Sequence, residues 1–154
     1  MFLGVSTLNL DAKGRVAIPA KHRDALAQCC ASRVVVTLSP FVANKCLWVY
    51  PENEWRLVAR QLVALPTMDP KAQAMKRLML GHASEVELDG QGRILIANEL
   101  RDFAHLGKRV SLVGQVNKFE IWDEETWNGS RDGWLDEVAS DAGGLSEQLA
   151  GVAL

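Results

Sequence analysis

Two five-residue segments carry the residue types that could do chemistry: Asp11-Ala-Lys-Gly-Arg15 and, 78 positions later, Asp89-Gly-Gln-Gly-Arg93. Gly14 and Gly92 suit the positive φ that tight strand connections need. Asp11 and Asp89 can accept backbone N–H groups inside such a turn, so these four residues read as turn-structural. Arg15 and Arg93 offer planar guanidinium forks that match phosphate oxygens or the O6/N7 edge of guanine. They could instead simply clasp the aspartate four residues back. The sharper expectation is contact with DNA. Lys13, at the tip of the first turn, would add a phosphate contact, whereas Gln91 at the second keeps a donor and an acceptor but no charge. Lys21 and Arg23 follow the first turn where the second has Glu99 and Arg101. The expected DNA-binding set is therefore Arg15, Lys13, Arg93, Lys21 and Arg23, with the first turn the stronger.

Paired aspartate loops also raise the acid chemistry of two carboxylates sharing a proton. Here each Asp has an Arg four residues on, which holds it ionised. Ala12 and Gly90 stand where aspartic proteases have Ser or Thr. No catalytic residue is expected. Nor is a metal or cofactor: His22, His82 and His105 are scattered, Cys29, Cys30 and Cys46 have no ligand spacing, and no phosphate loop or nucleophile elbow is present. A lone His on a short helix is more often a surface or cap residue than a ligand.

The elements that must hold the turns can be read outward from them. Leu8-Asn-Leu10 and Val86-Glu-Leu88 enter as strands, and Val16-Ala-Ile18 and Ile94-Leu-Ile96 leave as strands. A short helix follows each, the first opened by Pro19 and the second capped by Asn98. Val34–Leu38 and Cys46–Tyr50 form two further strands, matched by Val110–Val113 and Phe119–Trp122. Each copy then enters an acidic, Trp-bearing helix start, Pro51-Glu-Asn-Glu-Trp55 and Asp123-Glu-Glu-Thr-Trp127. The unit is β-β-α-β-β-α, twice, with a longer hairpin loop (39–45) in the first copy. Trp55 and Trp127 should be packing anchors. Between the copies, Asp69 should cap a helix begun by Pro70, its inner face built from Ala74, Leu78 and Met75 or Met79. Beyond Glu137 the small, weakly patterned residues predict a mobile tail. One unit of about 45 residues buries little apolar surface, so two intertwined units, open to self-association, are expected.

Composition fits a soluble globular protein: 48% hydrophobic and 23% charged over 154 residues. No run of about 18 apolar residues offers a membrane span, and the N-terminus has no basic leader. Three cysteines make no disulfide framework, so a reduced, cytoplasmic protein is expected. The formal net charge of −2 conceals an asymmetry: residues 1–80 carry 11 Lys/Arg against 5 Asp/Glu, and residues 81–154 carry 6 against 14. A basic first half permits a polyanion partner; it would also let the two halves attract one another.

Several motifs in order resemble the MraZ family of division and cell wall cluster transcriptional regulators. They are Leu10-Asp-Ala-Lys-Gly-Arg-Val-Ala-Ile-Pro-Ala-Lys21, Cys46-Leu-Trp-Val-Tyr-Pro51, Ala83-Ser-Glu-Val-Glu-Leu-Asp-Gly-Gln-Gly-Arg-Ile94 and Gly114-Gln-Val-Asn-Lys-Phe-Glu-Ile-Trp-Asp123. The resemblance runs from Met1 to about Trp127. It implies an α+β fold in which two tandem AbrB-like, swapped-hairpin units form one intertwined, β-barrel-like core with additional helices. The implied divisions are a first DNA-binding unit at 5–52, connecting helices at 53–80, a second unit at 81–124, and a C-terminal helix and tail at 125–154. It also implies a sequence-specific regulator, usually a repressor, acting on repeated sites upstream of its own operon. A ring-shaped homo-oligomer on double-stranded DNA, associated with the nucleoid, goes with that reading. Two departures stand out: His22 where the family usually has Phe, and Ala97-Asn98 where a Pro-containing helix start is usual. An antitoxin-like protein-interaction module, with an acidic C-terminal part facing a basic partner, is the alternative.

Overall fold

The computed structural model describes residues 1–41, 43, 45–140 and 146–152. Two units divide it, Met1–Glu124 and Glu125–Leu154. In the first, the strands are β1 (Val5–Asn9), β2 (Arg15–Ala17), β3 (Arg33–Leu38) and β4 (Leu47–Pro51), then β5 (Ser84–Glu87), β6 (Arg93–Leu95), β7 (Arg109–Gly114) and β8 (Phe119–Asp123). Helix α1 (Ala20–Cys30) lies between β2 and β3, and α4 (Asn98–Phe103) stands at the equivalent place between β6 and β7. Helices α2 (Glu52–Val63) and α3 (Pro70–Gly81) join the copies; α5 (Glu124–Ala139) follows β8. Among the described residues no helix is long and apolar enough to cross a membrane.

The chain is mixed α+β with a large antiparallel sheet, and the pairing crosses between copies. Among the described residues a six-stranded sheet runs β1-β7-β8-β4-β3-β5, and β2 pairs with β6 in a separate ribbon. The strands on either side of each turn therefore do not pair with one another: β1 goes to β7 and β2 to β6, while β5 goes to β3. Val16 faces Ile94, and Trp48 faces Glu120. Each is a pair of equivalent positions in the repeat, so a local two-fold relation runs through both contacts, as at an isologous interface.

Alternation along β2 and β6 explains why these strands hold. Val16, Ile18, Ile94 and Ile96 are fully buried, and they join Leu26, Val34, Val36, Leu47, Val110, Leu112, Phe119 and Ile121 in a single cluster drawn from both copies. No direct ion pair joins the two copies among the described residues. The ion pairs of the described residues lie within a copy or its flanking helices, as in Arg33 with Glu52 (2.5 Å) and its counterpart Arg109 with Glu124 (3.2 Å). The attraction expected between basic and acidic halves is thus not what holds them; apolar burial and strand pairing are.

Several local expectations need correction. Asn98 is the first residue of α4 rather than its cap; Ala97 holds the cap position with φ −57° and ψ 144° and makes no side-chain bond. Pro19 does the same before α1, so both helix starts are set by backbone geometry. On α3, Ala72 and Met79 are buried while Ala74 and Leu78 face out. The helix is rotated from the expected face because Met75 and Met79 turn toward Trp48, Tyr50 and Leu62. Asp69 does cap it, accepting from Lys71 N (3.0 Å) and Ala72 N (3.4 Å). His22 is neither surface nor cap: it is buried edge-on between Phe2 and Phe119, at centroid distances of 5.6 and 5.0 Å. The most buried tryptophan is Trp122, whereas Trp55 is half-buried against Tyr50.

In the unit beyond Glu124, Trp127 and Trp134 meet at 5.5 Å. There too α6 (Glu147–Ala150) is capped by Ser146, whose Oγ accepts from Leu149 N. The expected long loop and mobile tail fall partly outside the described residues, at 42 and 44 and at 141–145 and 153–154.

Two outcomes follow. Ile94→Ala should cost about 2–5 kcal/mol and lower one cooperative thermal transition of the Met1–Glu124 unit, read by circular dichroism. Separate melting of the two copies would contradict a shared core. Burial, with Lys21 and the N-terminal charge nearby, holds the His22 pKa below its usual 6.5. The unfolded chain therefore binds a proton first, and stability should fall as pH drops below about 6.5. His22→Phe should remove that part of the pH dependence of the melting temperature.

Candidate nucleic-acid interface

Each turn is built by its own aspartate. Asp11 Oδ1 accepts from Lys13 N (2.9 Å) and Arg15 N (2.8 Å), and Oδ2 accepts from Arg15 Nε (2.8 Å). Gly14 N donates to Asp11 O at 3.0 Å, and Asp11 N to Arg15 O at 2.9 Å. The second turn repeats this set: Asp89 Oδ1 takes Gln91 N and Arg93 N, both at 2.9 Å, and Oδ2 takes Arg93 Nε at 2.8 Å. Gly14 and Gly92 have φ of +87° and +74°, where an L side chain is strained.

The aspartate–arginine clasp is half open to solvent, with Arg15 and Arg93 side chains 28% and 30% exposed. Such a pair contributes little to stability; its effect is on direction. With Nε held by the carboxylate, the two outer nitrogens of each fork have no further hydrogen-bond or ion-pair partner among the described residues. The clasp holds in both turns, and because it uses one edge of each guanidinium it leaves the other edge open. Since side chains alternate along a strand, Arg15 and Ala17 share the outer face of the ribbon with their partners Leu95 and Arg93. Leu95 on that face is 53% exposed.

The environments of the turns differ from the order of residues in the chain. Ile18 N donates to Gly92 O and Ile96 N to Gly14 O, both at 2.8 Å, so each turn rests on the other copy's strand. Arg23 does not stand beside the first turn: its side chain lies against Gly92 of the second. Arg101 lies against Gly14 of the first, its guanidinium carbon 2.8 Å from where a Cβ on Gly14 would sit. The expectation that Arg23 enriches the first turn is corrected by this crossing, which follows from β2 pairing with β6. Lys21 lies by the segment entering β1, its Nζ 3.2 Å from a Cβ position on Gly4. Lys108 borders the first turn, where its carbonyl accepts from Leu10 N (2.8 Å) and its residue lines a shallow groove with Asp11 and Ala12. Sequence reasoning set Arg101 beside the second turn and did not consider Lys108; both border the first. The signal for Arg101 was its equivalence to Arg23 in the repeat.

The carboxylates are held ionised. The backbone N–H of Arg15 is the main cause that keeps Asp11 below its usual 3.8, with the Arg15 side chain adding to it; Arg93 does the same for Asp89. Two carboxylates each held ionised by three donors, one of them a guanidinium, are not set up to share a catalytic proton. Because their folded pKa values are lowered, the turns' stabilisation is fully present above the ordinary carboxylate value and is lost as pH falls through the lowered ones. Carboxyl carbon NMR should show Asp11 and Asp89 titrating below 3.8; titration at or above it would break the clasp assignment.

The family described as "MraZ protein, putative antitoxin-like" matches residues 1–78 and again 79–132. The protein named Transcriptional regulator MraZ of Thioalkalivibrio sulfidiphilus is 53% identical over 137 residues, which cover 89% of each chain. Those of the same name from Halorhodospira halophila and Alkalilimnicola ehrlichii are 48% and 46% identical over the full length of both chains. With both copies of the repeat matched and the whole chain covered at nearly half identity, this chain belongs to the MraZ family.

Proposed function

We propose that the chain is a DNA-binding transcriptional regulator that grips duplex DNA with the outer face of the β2–β6 ribbon. The carrying observation is the pair of guanidinium groups anchored at Nε on one face with their outer nitrogens open. A fork held this way is pre-organised for a phosphate or for the guanine edge, so less side-chain freedom is lost on binding. The relatives' shared name, transcriptional regulator, supports this reading. Lys13 and Lys21 add sequence-independent attraction, and Arg93 repeats the contact of Arg15.

In its finer form, units 5–52 and 81–124 are two DNA-binding units of swapped-hairpin type, with 53–80 connecting them and 125–154 a C-terminal extension. The protein is a repressor of a division and cell wall gene cluster that includes its own operon. It works in the cytoplasm at the nucleoid, as a ring of identical chains on repeated upstream sites. Modest contacts per turn then multiply through effective concentration, favouring repeats over single sites. The family's antitoxin-like description supports one other reading, a protein-interaction module in which the turns are scaffold.

Arg15→Ala should abolish the gel shift on DNA upstream of its own coding region while leaving the oligomeric state intact. Each lost bidentate contact is worth about 1–3 kcal/mol. Wild-type affinity should fall steeply with salt, by a slope of about 0.9 for each phosphate neutralised. Undiminished binding by Arg15→Ala would sink the assignment. Failure of the wild type to bind, together with co-purification of a basic partner, would favour the interaction module.

A further inference from the structure

We infer that Arg101 and Arg23 are positioning residues of the DNA surface, each setting the turn of the opposite copy. The inference rests on the DNA reading for its function but on separate contacts for its geometry. Arg101 Nε donates to Ile96 O at 3.0 Å, and Arg23 Nε to Ile18 O at 2.6 Å. Those carbonyls belong to the residues whose N–H groups bond Gly14 O and Gly92 O of the opposite turns. Each arginine is therefore tied to the same isoleucine that carries the far turn, and its guanidinium spreads across that turn's glycine.

This arrangement gives the glycines a second reason to be glycine. A Cβ on Gly14 would fall 2.8–3.1 Å from three guanidinium atoms of Arg101, and one on Gly92 would collide with Arg23. Positive φ alone admits an occasional Asn or Asp; here such a residue would also have to displace the arginine side chain packed against the glycine. Arg15 and Arg93 follow directly after these glycines, so the arginine packed against each glycine adjoins the root of the neighbouring fork. The outer nitrogens of Arg23 and Arg101 have no further partner among the described residues. Each turn thus presents two guanidinium groups from different copies: Arg15 with Arg101, and Arg93 with Arg23. The sequence order suggests the reverse pairing of Arg15 with Arg23.

Lysine distinguishes positioning from charge. It keeps the positive charge yet lacks the planar fork that packs against the glycine while its Nε bonds the isoleucine carbonyl. In ¹⁵N-resolved NMR spectra, Arg101→Lys should shift the Lys13, Gly14 and Arg15 amides and leave Gln91, Gly92 and Arg93 in place, and Arg23→Lys should do the reverse. On the upstream duplex, Arg101→Lys should weaken binding about tenfold with an unchanged salt slope, because the charge count is preserved. A double-mutant cycle should couple Arg101 to Arg15 more strongly than Arg23 couples to Arg15. Full affinity in Arg101→Lys, or amide shifts confined to the residue's own copy, would overturn the inference. A wild type that binds no DNA removes the functional role but not the crossing, which the amide shifts judge separately.

Discussion

Everything in the Met1–Glu124 unit hangs on the hydrogen-bonded ribbon between β2 and β6. Each strand is three residues long, too short to stand alone. The ladder is extended at both ends by Ile18 N to Gly92 O and Ile96 N to Gly14 O. These groups would otherwise be buried without partners, at roughly 1–3 kcal/mol each. The ribbon's inner face carries Val16, Ile18, Ile94 and Ile96 into the shared cluster, and its outer face carries both arginines. One interaction therefore closes the core and aims the surface.

The turns divide their work between local and distant chemistry. Asp11 and Asp89 set the shape of the loop through three hydrogen bonds apiece, all within four residues. What lies under the loop comes from the other copy. A similar division holds across β4 and β8. There Glu120 accepts from Trp48 Nε1 and Trp122 Nε1, both at 3.1 Å, so a carboxylate satisfies one tryptophan from each copy. Lys118 stands over the Trp48 ring at 4.9 Å, within cation–π range.

Much of the fold was legible because the patterns are short-range. The alternation in Val16-Ala-Ile18, the apolar run Val34-Val-Val36 and the Asp69-Pro70 start each declare an element without reference to anything distant. The misreadings share one cause. Ala74 and Leu78 have the spacing of a buried helical face, but spacing does not say which side the neighbouring element occupies. Asn98 has the chemistry of a cap, yet the repeat places it one position past Ala97, where Pro19 stands in the first copy. His22 reads as a surface residue until Phe2 and Phe119, far away in sequence, close on it.

The sequence alone determined the duplication, the element types, the turn chemistry and the two outward arginines, since all of these follow from contacts a few residues long. Only tertiary structure decided which copy completes which turn. Two equivalent segments can pair within themselves or across, and local propensity is the same either way. Burial chooses the crossed arrangement, because exchanging strands merges two small cores into one. That exchange carries Arg23 to Gly92 and Arg101 to Gly14.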